Sequence, residues 1–132
     1  MRFLALIAIF TCISLLSRVT AAEFPEISKA DLEAAIAAKT VTIIDVNGTE
    51  SWSDGHIPSA IDFASAKSDL GKQLPADKQA LVVAYCGGPH CGAWARAATA
   101  AAELGYINVK HFKDGISGWK NSGGTMETAS AK

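Results

Sequence analysis

The stretch AYCGGPHCGAW, Ala84 to Trp94, sets two cysteines, Cys86 and Cys91, around Gly87, Gly88, Pro89 and His90, with Gly92 just beyond. Four readings fit those residue types at that spacing. They are a nucleophilic thiolate in a loop of backbone amides, a disulfide, half of a metal site, or a plain turn that buries two small apolar thiols. The first reading has a specific physical basis. A thiolate becomes available near neutral pH when its pKa falls, and a helix N-terminus does this because its free N–H groups and dipole favour negative charge. Gly87 and Gly88 are free to take φ > 0 and so turn successive amides inward as an anion cradle, while Pro89 gives up one donor and fixes one φ. The metal reading has little support. His56, His90 and His111 accompany the two cysteines, but a single Cys-x4-Cys does not supply the paired short-spaced ligands of a structural zinc site. No metal and no cofactor are expected.

The elements around this loop decide where it sits. Ile27 to Lys39 opens on Ser28 with Asp31 three residues on, followed by Leu32, Ala35 and Ile36 at helical spacing, which predicts a capped helix. Thr40 to Val46 is a β-branched run before Asn47-Gly48, as expected of a strand buried on both faces. Ser51 to Phe63 reads as a loop punctuated by Gly55 and Pro58, with a short strand near Ala60 to Asp62. Ser65 to Leu74 is a weak short helix and Pro75 to Lys78 a turn. Gln79 to Tyr85 predicts a central strand, and Ala93 to Leu104 a helix ending at Gly105. Ile107 to Phe112 predicts a third strand, with Ile107, Val109 and His111 on one face. A short helix follows from Asp114, and residues 121–132 form a polar tail expected to be loose.

Alternating strands and helices argue an α/β fold, a central parallel sheet with helices on both faces. In such sheets ligands sit beyond the carboxyl ends of the strands. Cys86, directly after a predicted central strand and before a helix, stands at that kind of place.

Residues 1–22 belong to a different part of the protein's history. Met1-Arg2, a charge-free run from Phe3 to Leu16 and the small residues up to Ala22 read as a secretory signal peptide. Arg18 closes the run short of the ~20 apolar residues that a membrane span needs. Cleavage would take Cys12, Arg2 and Arg18 and no acid, leaving 10 Lys and Arg against 13 Asp and Glu. A mildly acidic mature chain has no basic footprint for nucleic acid or an anionic membrane. The expected organisation is a signal peptide over 1–22, one domain over 23–120 and the tail. A secreted or periplasmic location is oxidising, which favours pairing of neighbouring cysteines.

Three separated stretches carry a resemblance. They are Asp45-Val46 followed by Gly55-His56-Ile57-Pro58-Ser59-Ala60, the strand VVAYC ending at Cys86, and LGYINVKHFKDGISGW from Leu104 to Trp119. In order and spacing these resemble the single-domain rhodanese family across Ile27 to Trp119. The resemblance implies a sulfurtransferase. The Cys86 thiolate would attack a sulfane sulfur, hold it as a persulfide and pass it to a second thiophile, a covalent two-step cycle. Its implied partners are small sulfur donors and thiol acceptors, including a periplasmic protein thiol. Gly87, Gly88, His90, Cys91 and Gly92 would line the substrate, with Asp45 accepting hydrogen bonds from the loop and His56 bracing the segment between Gly55 and Pro58. Cys91 stands as a candidate resolving thiol. The alternative is a non-catalytic or thiol-redox module with a Cys86–Cys91 disulfide.

Three departures from the family pattern bear on chemistry. Asn47 replaces the Arg that usually follows Asp-Val, and Asp114-Gly115 replaces a glycine pair. The loop itself holds no Lys or Arg, so thiosulfate, a dianion, is expected to be a poor donor. Phosphatases and arsenate reductases of related fold carry an Arg six residues after their Cys, and here that position is Gly92. Without that guanidinium fork, oxyanion chemistry of the phosphoryl kind is not expected.

Overall fold

The computed structural model describes residues 24–129, so the expected signal peptide over 1–22 lies outside the described residues. Ten elements follow one another: α1 (Lys29–Ala38), β1 (Val41–Asp45), α2 (Thr49–Asp54), β2 (Ile61–Asp62), α3 (Phe63–Ala66), α4 (Leu70–Gln73), β3 (Leu81–Tyr85), α5 (Trp94–Glu103), β4 (Val109–His111) and α6 (Gly115–Asn121). The strands form one parallel sheet in the order β2-β1-β3-β4. β1 and β3 pair over their whole lengths, from Val41 with Leu81 to Asp45 with Tyr85. The connections from these two central strands run to opposite edges of the sheet, so their carboxyl ends flank a topological switch point.

Side-chain alternation sends successive residues of each strand to opposite faces. Ile44, Val82, Ala84 and Cys86 join one core with Ala66 and Leu70 of the short helices and Ala97, Ala98 and Ala101 of α5. Ile43, Val83 and Tyr85 join the other, with Leu32 of α1 and Trp119 of α6. Helices therefore cover both faces, as the alternation of elements predicts. The alanines of α5 let that helix sit close to the sheet under Cys86.

Local chemistry explains the element ends. Ser28 Oγ accepts from the Asp31 amide at 3.1 Å and donates to its carboxylate at 2.8 Å, capping α1. The Asp62 carboxylate begins α3 by accepting from the Ala64 amide at 3.0 Å and from the hydroxyls of Ser65 and Thr49 at 2.6 and 2.5 Å. Burial raises the Asp62 pKa, but those hydrogen bonds outweigh it and hold the carboxyl below its ordinary value. The weak helix expected over Ser65 to Leu74 is two short helices, α3 and α4, broken between Lys67 and Asp69.

Three expectations need correction. The stretch read as a loop before Gly55 contains α2, whose Thr, Ser and Asp residues are poor helix formers. Tertiary bonds hold it instead: Trp52 Nε1 donates to Ala60 O at 2.7 Å, and the Trp52 carbonyl accepts from His56 Nδ1 at 2.6 Å. Ile107 lies before β4 and is 75 % exposed, whereas Val109 and His111 are buried. Up to residue 129 the polar tail is docked rather than loose. Glu127 and His56 exchange backbone hydrogen bonds at 2.8 and 2.9 Å, Ala129 N donates to Ser53 O at 3.1 Å, and Trp119 Nε1 donates to Thr125 O at 2.8 Å.

Candidate functional site

Cys86 is the first residue after β3 and is 2 % exposed, packed in the core with Val46 and Trp94. The chain then turns back on itself: Cys91 N donates to Gly88 O at 3.1 Å. That turn brings the Cα atoms of Cys86 and Cys91 to 6.3 Å, and the two sulfurs are joined in a disulfide, at a separation such bonds commonly span. His90 and Gly92 are exposed, and Cys91 is half-buried.

The start of α6 holds the loop by its carbonyls. Ile116 N donates to Cys86 O at 2.9 Å and Ser117 N to Gly87 O at 3.0 Å, while Phe112 N reaches Ala84 O at 3.1 Å. The amides are used differently. Among the described residues those of Gly87, Gly88, His90 and Gly92 donate to no protein acceptor. α5 begins at Trp94, and Ala93 at its N-cap supplies no side-chain cap. A segment with bound carbonyls and unspent N–H groups is electropositive, which suits a sulfur anion.

The glycines produce this arrangement by a route other than the expected one. Gly87 and Gly88 are not among the glycines at positive φ. Gly88 matters for space, since a Cβ there would lie 2.8 Å from Ser117 Oγ, whereas Gly92 has nothing within 4 Å of such an atom. The residue that needs to be glycine is Gly115, at φ +60, where a Cβ would lie 2.6 Å from both Cys86 O and Gly88 N. Of the pair Asp114-Gly115, only the second position therefore needs the family's glycine. Sequence reasoning missed Gly115, Ile116 and Ser117 as parts of the site, and their signal was present in the GISGW stretch.

Asp45 does not bond the loop as expected. Its carboxylate accepts from Asn47 N at 2.7 Å and from the Tyr85 hydroxyl at 2.5 Å, and that hydroxyl accepts from Ile57 N at 3.1 Å. Asp45 thus reaches the loop only indirectly, by fixing Asn47 beside Gly87 and Tyr85 next to Cys86. Burial pushes its carboxyl above the usual range, against the pull of Tyr85, Asn47 and the charge of His56. Burial and the Asp45 charge push the Tyr85 phenol up, so it remains a neutral donor.

The contacts of His56 are with Trp52 and Glu127, and it forms no hydrogen bond with the cysteine loop. Its ring stacks on Trp52 with centroids 4.2 Å apart, and Nε2 lies 3.7 Å from Glu127 Oε1. Trp94 packs rather than rims a pocket: it is 8 % exposed and stacks on His111 at 3.6 Å between centroids. Burial, with Lys113, lowers the His111 pKa, and Glu26 opposes this.

Two cavities open near the strand ends. One, of about 220 Å³, lies beside Asn47, Gly55, Ile116 and Lys120. A smaller one, of about 90 Å³, is lined by Val46, Gly48, Phe63 and the exposed cations Lys67 and Arg96. A larger hollow of about 280 Å³ between α4 and α5, lined by Lys67, Ser68, Asp69, Leu70, Glu103 and Leu104, holds no cysteine.

Comparison with known proteins agrees with this geometry. A family model described as a rhodanese-like domain matches residues 28–122. An HTH-type transcriptional regulator of Mycobacterium tuberculosis is 35% identical over 98 residues, which cover 74% of this chain and 42% of the regulator. The chain thus spans less than half the length of that curated relative. A solved protein of Bacillus halodurans is 28% identical with a TM-score of 0.62, over 79% of this chain and 77% of its own. A human single-domain sulfurtransferase has a TM-score of 0.56 over 74% of this chain and 96% of its own, and at 20% identity it shows a shared fold.

Proposed function

The chain belongs to the rhodanese-like family, and from that premise we propose that its reduced form is a sulfurtransferase with Cys86 as nucleophile. The observation that carries this reading is the division of labour in the loop that follows Cys86: carbonyls of Cys86 and Gly87 tied to α6, and amides of Gly87, Gly88, His90 and Gly92 without a protein acceptor. Such a setting stabilises both the thiolate and the persulfide anion that follows it.

The cycle has two displacements. The Cys86 thiolate attacks the sulfane sulfur of a donor; the new S–S bond forms as the donor's bond breaks, and sulfite leaves from thiosulfate or a thiolate from a persulfide. A thiol acceptor then takes the outer sulfur and Cys86 is regenerated. Persulfide donors suit the site better than thiosulfate, because the loop offers amides and no cation to a dianion. The acceptors are small thiols or a protein thiol, and the protein works after export, in a secreted or periplasmic setting.

Cyanide provides the test, since it removes a sulfane sulfur as thiocyanate. Cys91→Ser protein, in which no second loop thiol competes for the sulfur, yields thiocyanate when reduced, freed of reductant and loaded with a small persulfide or thiosulfate, and Cys86→Ser yields none. Absence of thiocyanate from both reduced Cys91→Ser and reduced wild type with every donor would sink the reading.

One observation favours a second reading. Cys86 is engaged with Cys91 in the structure, and a thiol-redox module whose cleft binds a partner would use the same bond. That module would show disulfide exchange without sulfur transfer in the same assay.

A further inference from the structure

Resting on the sulfurtransferase reading, we propose that Cys91 is a resolving thiol that discharges the Cys86 persulfide internally, so that the protein releases sulfide and closes its own disulfide. The family's cycle needs one cysteine. Here a second sulfur lies within bonding reach of the first, and its position is set by the loop: Cys91 N is tied to Gly88 O at 3.1 Å, the Cα separation is 6.3 Å, and the two sulfurs are bonded.

The step balances without an outside oxidant. With Cys86 carrying S–SH, the Cys91 thiolate attacks Cys86 Sγ. The Cys86–Cys91 bond forms, the bond to the outer sulfur breaks, and that sulfur leaves with the electron pair as hydrosulfide. Summed with loading from thiosulfate, two thiols and one thiosulfate give one disulfide, one sulfite and one hydrogen sulfide. The sulfane sulfur is reduced and the two cysteines are oxidised. Hydrosulfide is a better leaving group than an alkyl thiolate, which favours this direction of exchange.

Proximity decides between this route and transfer to an outside acceptor. Cys86 is 2 % exposed, while Cys91 is half-buried and already joined to it. An intramolecular thiol held in place competes at an effective concentration far above that of a dissolved thiol. The disulfide left behind is then opened by a dithiol reductant, which becomes the second substrate of the cycle. The physiological product would be sulfide, with a dithiol protein or small dithiol as the consumed partner.

The test uses full-length protein, reduced and freed of reductant under anaerobic conditions, given excess thiosulfate with no cyanide and no acceptor thiol. Sulfite, sulfide and intact mass are followed. Wild type is expected to release sulfite and sulfide in equal amounts, one of each per chain, and to finish two hydrogens lighter than the reduced chain. Cys91→Ser is expected to release sulfite without sulfide and to finish one sulfur atom heavier. Wild type that keeps the extra sulfur and releases no sulfide overturns the inference and leaves the sulfurtransferase reading standing. Release of neither sulfite nor sulfide and no gain or loss of mass in wild type and Cys91→Ser, with thiosulfate and then with a small persulfide as donor, overturns both.

Discussion

Gly115 and Cys86 come into backbone contact range: a Cβ built on Gly115, at φ +60, would lie 2.6 Å from the Cys86 carbonyl oxygen. The same stretch of chain supplies the Ile116 amide that binds this oxygen at 2.9 Å. The cysteine loop and the start of α6 are therefore one unit, and the nucleophile's position depends on a residue far from it in sequence.

The first prediction concerns that unit. Gly115→Ala adds a left-handed penalty of about 1–2 kcal/mol and forces the loop outward. We expect a total loss of more than about 2 kcal/mol in urea unfolding and a fall in sulfur transfer of roughly a hundredfold, as for a misplacement of about 1 Å. Gly71→Ala in α4, away from the loop, is the control, because its added methyl meets only Leu104 at an ordinary 3.8 Å. Equal behaviour of the two variants would remove Gly115 from the site.

A second prediction concerns the buried chain from Ile57 N through the Tyr85 hydroxyl to Asp45. Tyr85→Phe deletes one oxygen and leaves both a buried amide and a buried carboxylate short of a partner. The expected cost is about 2–3 kcal/mol. An unfolding midpoint unchanged from wild type would show that water takes the hydroxyl's place.

Much of this architecture was legible in the chain. β1 and β3 announce themselves as β-branched runs bounded by Asn47-Gly48 and by the cysteine loop, and helix spacing exposes α1. Cys86 follows β3, so parallel-sheet topology alone puts it at a ligand-binding edge. What escaped depends on tertiary contact. α2 has no intrinsic preference for helix and is held by Trp52 and His56. The tail's residues are polar, yet backbone pairing with His56 docks them. The loop glycines were credited with positive φ, but that conformation falls at Gly115, where only the folded approach of α6 to the loop reveals the need.

The third prediction is a pH dependence. His111 is 7 % exposed and stacked on Trp94, and burial, with Lys113, lowers its pKa below the ordinary histidine value of 6.5 against the pull of Glu26. As pH falls through 6.5 toward the lower folded value, the unfolded chain takes up a proton that the folded chain refuses. Stability therefore falls with acidification across that window, and the loss is complete below the folded value. Thermal midpoints compared between about pH 7.5 and about pH 5.5 should drop less in His111→Phe than in wild type. An identical drop would assign the dependence to other groups.

The last prediction follows from the bond seen between Cys86 and Cys91. While it stands, Cys86 has no thiolate, so protein isolated without reductant should be inactive in cyanolysis. Dithiothreitol should restore activity. Cys91→Ser cannot form the bond and should be active without reductant, with cyanolysis at least about tenfold above oxidised wild type, the difference between a free and a blocked nucleophile. Cys86→Ser should be inactive in either state. This latch and the resolving step use the same bond from opposite directions: air or another oxidant closes it on an unloaded enzyme, and a persulfide closes it on a loaded one. If Cys91→Ser matched wild type in both redox states, the two cysteines would not communicate and Cys91 would serve only to shape the turn.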